Sequence, residues 1–271
     1  MPAPSKKKPT AKRAKLPAIT LPANKFLASP QSGETSLMPL GPAAGDIARD
    51  GDVVRVTGRT YSAGTLPLDN ATVFFIGSRH RHDGPARGEA DKVAWQDPAT
   101  GLECIIMRDP KAGNLRGFVG VPAGHPLFGY KHDAIPADVG IEVHGGLTYS
   151  AACDVSADKL GREARSICHV TVVVKKESYA TSHRPVDDAW WFGFECNLPQ
   201  DLLPDVHQGI NERDGTRRTY RDDEYVANEV LNLAAQMQAI AERQPMPLRF
   251  GPPLPPLGMN DRAGREKKGG R

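Results

Sequence analysis

Residues 222–243 read DDEYVANEVLNLAAQMQAIAER, a stretch with a sustained helical period. Its larger apolar residues fall at Val226, Val230, Leu233, Met237 and Ile240, and spacings of 4, 3, 4 and 3 draw one stripe along a helix. Asp222, Asp223 and Glu224 stand in the first turn, where carboxylates meet the positive end of the macrodipole. Arg243 lies near the far end and Pro245 stops the helix. The same spacing would suit a homodimer through helix 222–243, but two heptads are few for a coiled coil. The preferred reading lays the stripe across a sheet.

That sheet is expected upstream. Short segments rich in Val, Ile, Thr and aromatic residues recur at Asp52–Thr57, Thr72–Ile76, Glu103–Arg108, Arg116–Val121 and Val139–His144. Two stronger ones are Ile167–Lys175, with its VTVVVK run, and Ala189–Glu195. Turn signals such as Asp69-Asn70 and Gly145-Gly146 lie between or beside them. No regular helical pattern separates successive strands, so parallel crossover units are not expected. The predicted fold class is α+β: an antiparallel or mixed β-sheet packed against one long C-terminal helix.

Outside this body the pattern fades. Residues 1–45 are rich in Pro, Ala, Ser and Lys, and residues 251–271 in Pro, Gly and charge. Neither carries enough apolar residues to offset the entropy of ordering, so both are expected to be disordered. The PPLPPL run in the tail suits polyproline II, as a spacer or as a ligand for aromatic grooves. One domain, 46–250, remains between them.

The charge is divided in the same way. Residues 1–25 hold seven basic side chains, among them Lys6, Lys7, Lys8, Lys12, Arg13 and Lys15, and no acid. Residues 261–271 hold five basic and two acidic side chains, so the two ends carry +10 of a net +3 and the middle carries −7. Basic arms of this kind bind polyanions such as nucleic acid weakly and without reading sequence, through counterion release. Solubilising tails are the plainer alternative.

No run of 18 apolar residues exists, so no membrane span is expected, and no apolar stretch follows the first lysines as a secretory signal would require. Cys104, Cys153, Cys168 and Cys196 include no CxxC pair, which argues against a zinc ribbon or a thioredoxin-like centre. Reduced thiols and a cytoplasmic location are the expectation.

Several polar groups invite a chemical reading. His80 and His82 in SRHRHDG are similar to the HxHxDH zinc motif of metallo-β-lactamase-like hydrolases, but Asp83 comes one residue early and no His follows. A shifted carboxylate loses the ligand geometry, and no metal is expected. His144-Gly145-Gly146-Leu147-Thr148 has the form of an oxyanion-hole turn, yet the GxSxG elbow that accompanies it in esterases is missing. A tight strand-to-strand turn with a hydrogen-bonded His is preferred there. His169-Val170-Thr171 is one half-site of a two-histidine phosphodiesterase without its second. Cys168-His169 and Glu195-Cys196 bring thiol, imidazole and carboxylate into one neighbourhood, but strand neighbours face opposite ways. In WWFGF, Trp190, Phe192 and Phe194 share a face and Trp191 takes the other, either as a central strand or as a stacking platform. His125 follows GFVGVPAG into a Gly- and Pro-rich loop where a ring would face a cleft.

Taken together, GFVGVPAGHPLFG, HGGLTYS, ICH, DDAWWFGFEC and YRDDEYVANEVLNLAAQM resemble a family of bacteriophage and bacterial proteins without an established activity. Its pattern runs through GYVGVPxGHP, HGGLT, ICH and WWFGFDCAH to a helix of the form YRDLEYVxxEVxxLAxQL. The resemblance spans about Trp95 to Gln238 and implies that Cys104, His125, His144, Cys168, His169, Trp190 and Trp191 are signature positions. This chain departs at Phe194-Glu195-Cys196-Asn197-Leu198, where the family reads FDCAH, so any mechanism needing that His is in doubt. The insert Lys175–Arg184 and both tails are peculiar to this chain.

Two functions follow as expectations. One is a phage-type accessory protein binding a partner or small ligand, through Gly145, Gly146, Thr148, Trp190 and Trp191, with the basic arms on a polyanion. The other is a hydrolase with His125, His144, His169 and Glu195 in an acid–base site, which requires His125, His144 and a carboxylate to converge. No cofactor is specified by either.

Overall fold

The computed structural model describes residues 26–27, 47–79, 84–153, 159–168, 189–206 and 218–256. Among them are nine strands: β1 Phe26–Leu27, β2 Ile47–Asp50, β3 Val53–Ala63, β4 Leu66–Ile76, β5 Lys92–Gln96, β6 Glu103–Arg108, β7 Leu115–Val121, β8 Tyr149–Ala152 and β9 Trp190–Glu195. They form one sheet in the order β1, β3, β4, β5, β6, β7, β9, β8, with β2 also on β3. Every strand pair is antiparallel. Among the described residues there are two α-helices, the short α1, Leu160–Glu163, and the long α2, Asp223–Glu242. Among the described residues no helix is long and apolar enough to cross a membrane.

The long helix lies where the stripe puts it. Asp222 caps it, accepting from the Tyr225 amide at 2.9 Å, and Arg243 ends it in the left-handed region at φ 56°. Val226, Val230, Leu233 and Met237 are fully buried against Phe192 and Phe194 of β9, Val119 of β7 and Ile106 of β6. Gly117 allows the close approach: a Cβ there would stand 2.5 Å from both Phe194 and Val230. Trp191 is fully buried on the opposite face with Phe118, Ile105 and Met107, as alternation along β9 requires.

From Asp223 to Ile240 no residue of α2 is exposed. The sheet covers one side, residues 141–147 a second, and the chain after the helix a third. This covering leaves little of α2 for a second copy to zip onto, and the burial gives no support to a homodimer through residues 222–243.

The segments beside α2 are held in a common way. Gln236 on α2 accepts from the Glu142 amide at 2.7 Å and donates to the Glu142 carbonyl at 2.9 Å. Asn232, one turn earlier, accepts from the Phe250 amide at 3.1 Å and donates to the Phe250 carbonyl at 2.8 Å. Each carboxamide takes both main-chain groups of one residue, which replaces a ladder partner for an extended segment.

The expectations need correction in five places. Val139–His144 is no strand: a 3-10 turn at Ala137–Val139 ends in Gly140 at φ 76°, and the chain then runs as an irregular segment along α2. β3 and β4 are each 11 residues long, because register shifts near Gly58, at φ 72°, break the alternation that marks a strand only as far as Thr57. Phe26–Leu27 pairs with Tyr61 and Thr60, within the arm expected to lack structure. Gly251–Pro256, expected in a disordered tail, lies on the body, with Pro255 buried. Finally, Cys153 and Cys168 form a disulfide, with Cα atoms 5.0 Å apart, against the expectation of four free thiols. Of the Ile167–Lys175 segment, residues 169–175 lie outside the described residues, as do His80, His82, His169 and the basic arm residues Lys6, Lys7, Lys8, Lys12, Arg13 and Lys15.

Candidate functional site

His144 is the centre of a buried polar cluster against α2. The turn carrying it needs Gly145 and Gly146, at φ 69° and 81°, and closes by a Gly146 amide bond to the Val143 carbonyl at 3.0 Å. That bond occupies the amide an oxyanion hole would need. The His144 ring is wholly buried. Its Nε2 stands 2.7 Å from an Asp201 carboxylate oxygen and its Nδ1 2.9 Å from the Tyr225 hydroxyl. Asp201 accepts from Nε2–H, and Nδ1 faces the Tyr225 hydroxyl.

The surrounding groups complete the circuit. The same Asp201 accepts from Arg221 Nε at 2.9 Å and from the Leu198 amide at 2.9 Å. Burial works to raise the Asp201 carboxyl, but the His144 and Arg221 hydrogen bonds outweigh it and hold the group below the usual carboxylate range. The Arg221 guanidinium also lies over the Tyr225 ring, 4.7 Å from its centre. Glu229, one turn beyond Tyr225, accepts from the His144 amide at 3.1 Å and pairs with Arg249. Burial raises the Glu229 carboxyl despite the pull of Arg249. Cys196 beside this cluster has its thiol pushed well up by burial and by the Asp201 and Glu229 charges, the reverse of a nucleophilic thiolate.

A second buried network sits at the start of α2. Arg108 donates to Glu89 at 2.7 Å and to the Tyr220 hydroxyl at 2.8 Å, and Tyr220 donates to Glu89 at 2.5 Å. The Asp223 amide donates to the other Glu89 oxygen at 3.2 Å, and Tyr61 donates to the Asp223 carboxylate at 2.7 Å. On the far side of the sheet, the buried Lys92 ammonium donates to the Glu163 and Ser166 carbonyls, each at 2.8 Å, at the end of α1. Burial lowers its pKa to about 7, with Glu163 pulling the other way.

Among the described residues of the proposed hydrolytic set, His125, His144 and Glu195 do not meet. His125 accepts from the Leu127 amide at Nδ1, 3.0 Å away, so its Nε2–H donates to the Met237 carbonyl at 2.9 Å. Burial lowers its pKa, which keeps the ring neutral. Met237 and Tyr225 are twelve residues apart on α2, a separation of ~18 Å along the axis. Glu195 pairs across the sheet with Arg116 on the face of Trp191, away from α2, and accepts from Asn197 at 2.8 Å. His125 and His144 are thus held near opposite ends of α2, and Glu195 lies on the other face of the sheet; the carboxylate that meets His144 is Asp201.

The ligand-binding set fares unevenly. Trp191 is buried and cannot stack on anything from outside. Trp190 is half-buried, donates its indole N–H to the Tyr130 carbonyl at 2.8 Å and leans on Phe128. Thr148 is exposed, with its amide on the Gly193 carbonyl at 2.9 Å. Among the described residues no cluster of three or more His, Cys, Asp or Glu could hold a metal ion.

Asp201, Arg221, Tyr225, Glu229 and Arg249 were missed from sequence, yet a signal was there. Tyr225, Glu229, Asn232 and Gln236 repeat at 4, 3 and 4, a polar stripe running beside the apolar one. A polar stripe normally reads as a solvated face, and only burial reveals it as a bonding surface. No protein-family model, curated protein or solved structure matches this chain.

Proposed function

We propose that this protein works by binding, as an accessory protein of the bacteriophage type. Its acidic body engages a protein partner or small ligand, and its basic end segments attach it to a polyanion such as nucleic acid. The supporting observation is the closure of its polar groups. His144, Asp201, Tyr225 and Glu229 satisfy one another, His125 is committed to two main-chain groups, and each ring is buried. A general acid or base must reach a substrate proton. A hydrolase drawing on His125 and His144 loses support for that reason.

Trp190 is the member of the ligand set best suited to a flat or apolar group, being half-buried with its N–H already paired. The cytoplasm is the proposed compartment. Cys153 and Cys168 are both buried, which restricts access for exchange with thiols there.

The attachment is tested with the full chain. Changing Lys6, Lys7, Lys8, Lys12, Arg13 and Lys15 to Gln should lower the salt concentration that elutes the protein from immobilised duplex DNA. The slope of log affinity against log salt should fall by roughly 0.9 for each phosphate that is no longer neutralised. Elution at the same salt as the parent protein would defeat the polyanion reading.

A further inference from the structure

Past the end of α2 the chain reverses and runs back along the helix. Arg249 pairs with Glu229, and the main chain of Phe250 is bonded at both groups by Asn232. Gly251, at φ 82°, passes so close to Asn228 that a Cβ would stand 3.2 Å from the Asn228 Cβ, and Pro255 is buried. The returning segment is thus read by position along α2: a carboxylate for one side chain, a carboxamide for the next main chain, and a close pass at a left-handed φ that favours glycine.

The segment is held at points rather than along its length. Leu248 is 96% and Phe250 46% exposed, while Leu254 is partly buried and Pro255 buried, so apolar burial holds only its far end. Among the described residues, 245–256 make no main-chain to main-chain hydrogen bond with the body. The reversal also works against local preference. Arg243 is a non-glycine residue in the left-handed region, and Pro245 and Pro247 favour an extended link where the chain must double back. The surface beneath behaves differently. Asn232 is 2% exposed, and both ends of its carboxamide would be left without their present partners if the segment departed.

We propose that the outer side of α2 is a receptor for an extended peptide and that its occupant in a dimer is the 248–256 segment of a second copy of this chain. The second copy offers the same Arg-Phe-Gly sequence to the same Glu229, Asn232 and Asn228. Extending the 244–247 link exchanges the two segments symmetrically, a route to a closed dimer that requires no new interface. Within one chain the linked segment competes at an effective concentration in the millimolar range, so it masks the receptor at low protein concentration.

The test separates receptor from occupant in two full-length variants. Asn232→Ala removes the receptor and keeps the segment. Gly251→Val blocks the segment, by its φ and by its approach to Asn228, and keeps the receptor. Mixed in equal amounts at about 100 µM, they should form a heterodimer in sedimentation analysis, at least about tenfold more abundant than dimer in either variant alone. A fluorescent peptide of residues 246–256 gives a second readout that needs only one altered chain. It should bind Gly251→Val at least about tenfold tighter than the parent protein, whose receptor is filled. A mixture with no more dimer than its components, or a peptide that binds the parent and Gly251→Val equally, overturns the proposal.

Discussion

The two ends of α2 hold their histidines in opposite ways. At the Met237 end, His125 bonds two main-chain groups, one of them two residues away, and the arrangement pins a loop. At the Tyr225 end, the His144 ring bonds Asp201 and Tyr225, Asp201 bonds Arg221, and the His144 amide bonds Glu229, which pairs with Arg249. Both rings look alike in the sequence, each next to glycine near the end of an extended run. They differ in what fails when one is removed. A clamp on main chain loses its own bonds. A network member strands its neighbours, and a buried charge left without its partner costs more than the bond it made.

The largest effect should therefore come from Asp201. Replacing it by Ala removes the acceptor of His144, Arg221 and the Leu198 amide together. Urea unfolding should show a loss of about 3–5 kcal/mol, the range for breaking one partner of a buried pair. A loss below about 1 kcal/mol would mean that water reaches the cluster and that the contrast between the two ends is false. Next in size is the coupling between His144 and Asp201. A double-mutant cycle with His144→Phe and Asp201→Asn should give an interaction energy of about 1–3 kcal/mol, as expected for groups sharing one network.

The clamp should cost less and show a different pH signature. His125→Gln should lose about 1–2 kcal/mol, the worth of a hydrogen-bonded buried group. Burial depresses the His125 pKa below its ordinary 6.5. Between the folded value and 6.5 the unfolded chain binds the extra proton and the folded chain does not, so this contribution is complete above 6.5 and is lost as pH falls below it. Asp201 works in a lower window. Its carboxyl is held below 3.8, so its contribution is present above that value and lost as pH falls through the depressed one. Removing His125 should flatten the stability profile just below pH 6.5 and leave the steeper acid limb in place.

Much of the frame was legible because it rests on period and composition. The 4, 3, 4, 3 stripe located α2 within a residue at each end, and Glu103–Arg108 was read with the bounds β6 has. What escaped were strands whose residues are chosen for something other than β propensity. β5 opens with Lys92, which is buried to cap α1, and β8 is Tyr-Ser-Ala-Ala at the sheet edge. The His144 turn was read as a strand-to-strand turn with a hydrogen-bonded His; the hydrogen bonds and the two glycines are there, but no strand leads into it and its partners were not read. Asp201 and Tyr225 lie 57 and 81 residues away in sequence, and nothing local in a polar loop or a helix stripe says which distant ring it will meet.

The smallest expected effect is also the sharpest test of the contrast. His125→Gln and Asp201→Asn act at positions fixed to α2 twelve residues apart, with no hydrogen-bond partner in common. Changes that far apart should add to within about 0.5 kcal/mol in a double-mutant cycle. The helix between them offers one route for coupling. If His125 shifted α2 along its axis, Tyr225 would move relative to His144 and the cycle would not close. The side chains between argue against such a shift, because Gln236 is bonded to Glu142 and Asn232 to Phe250 from two flanks, and Val230 is seated on Gly117. Additivity would leave two independent devices on one rigid helix. An interaction above about 1 kcal/mol would instead make the two histidines parts of a single unit, and would reopen the case for a shared site between them.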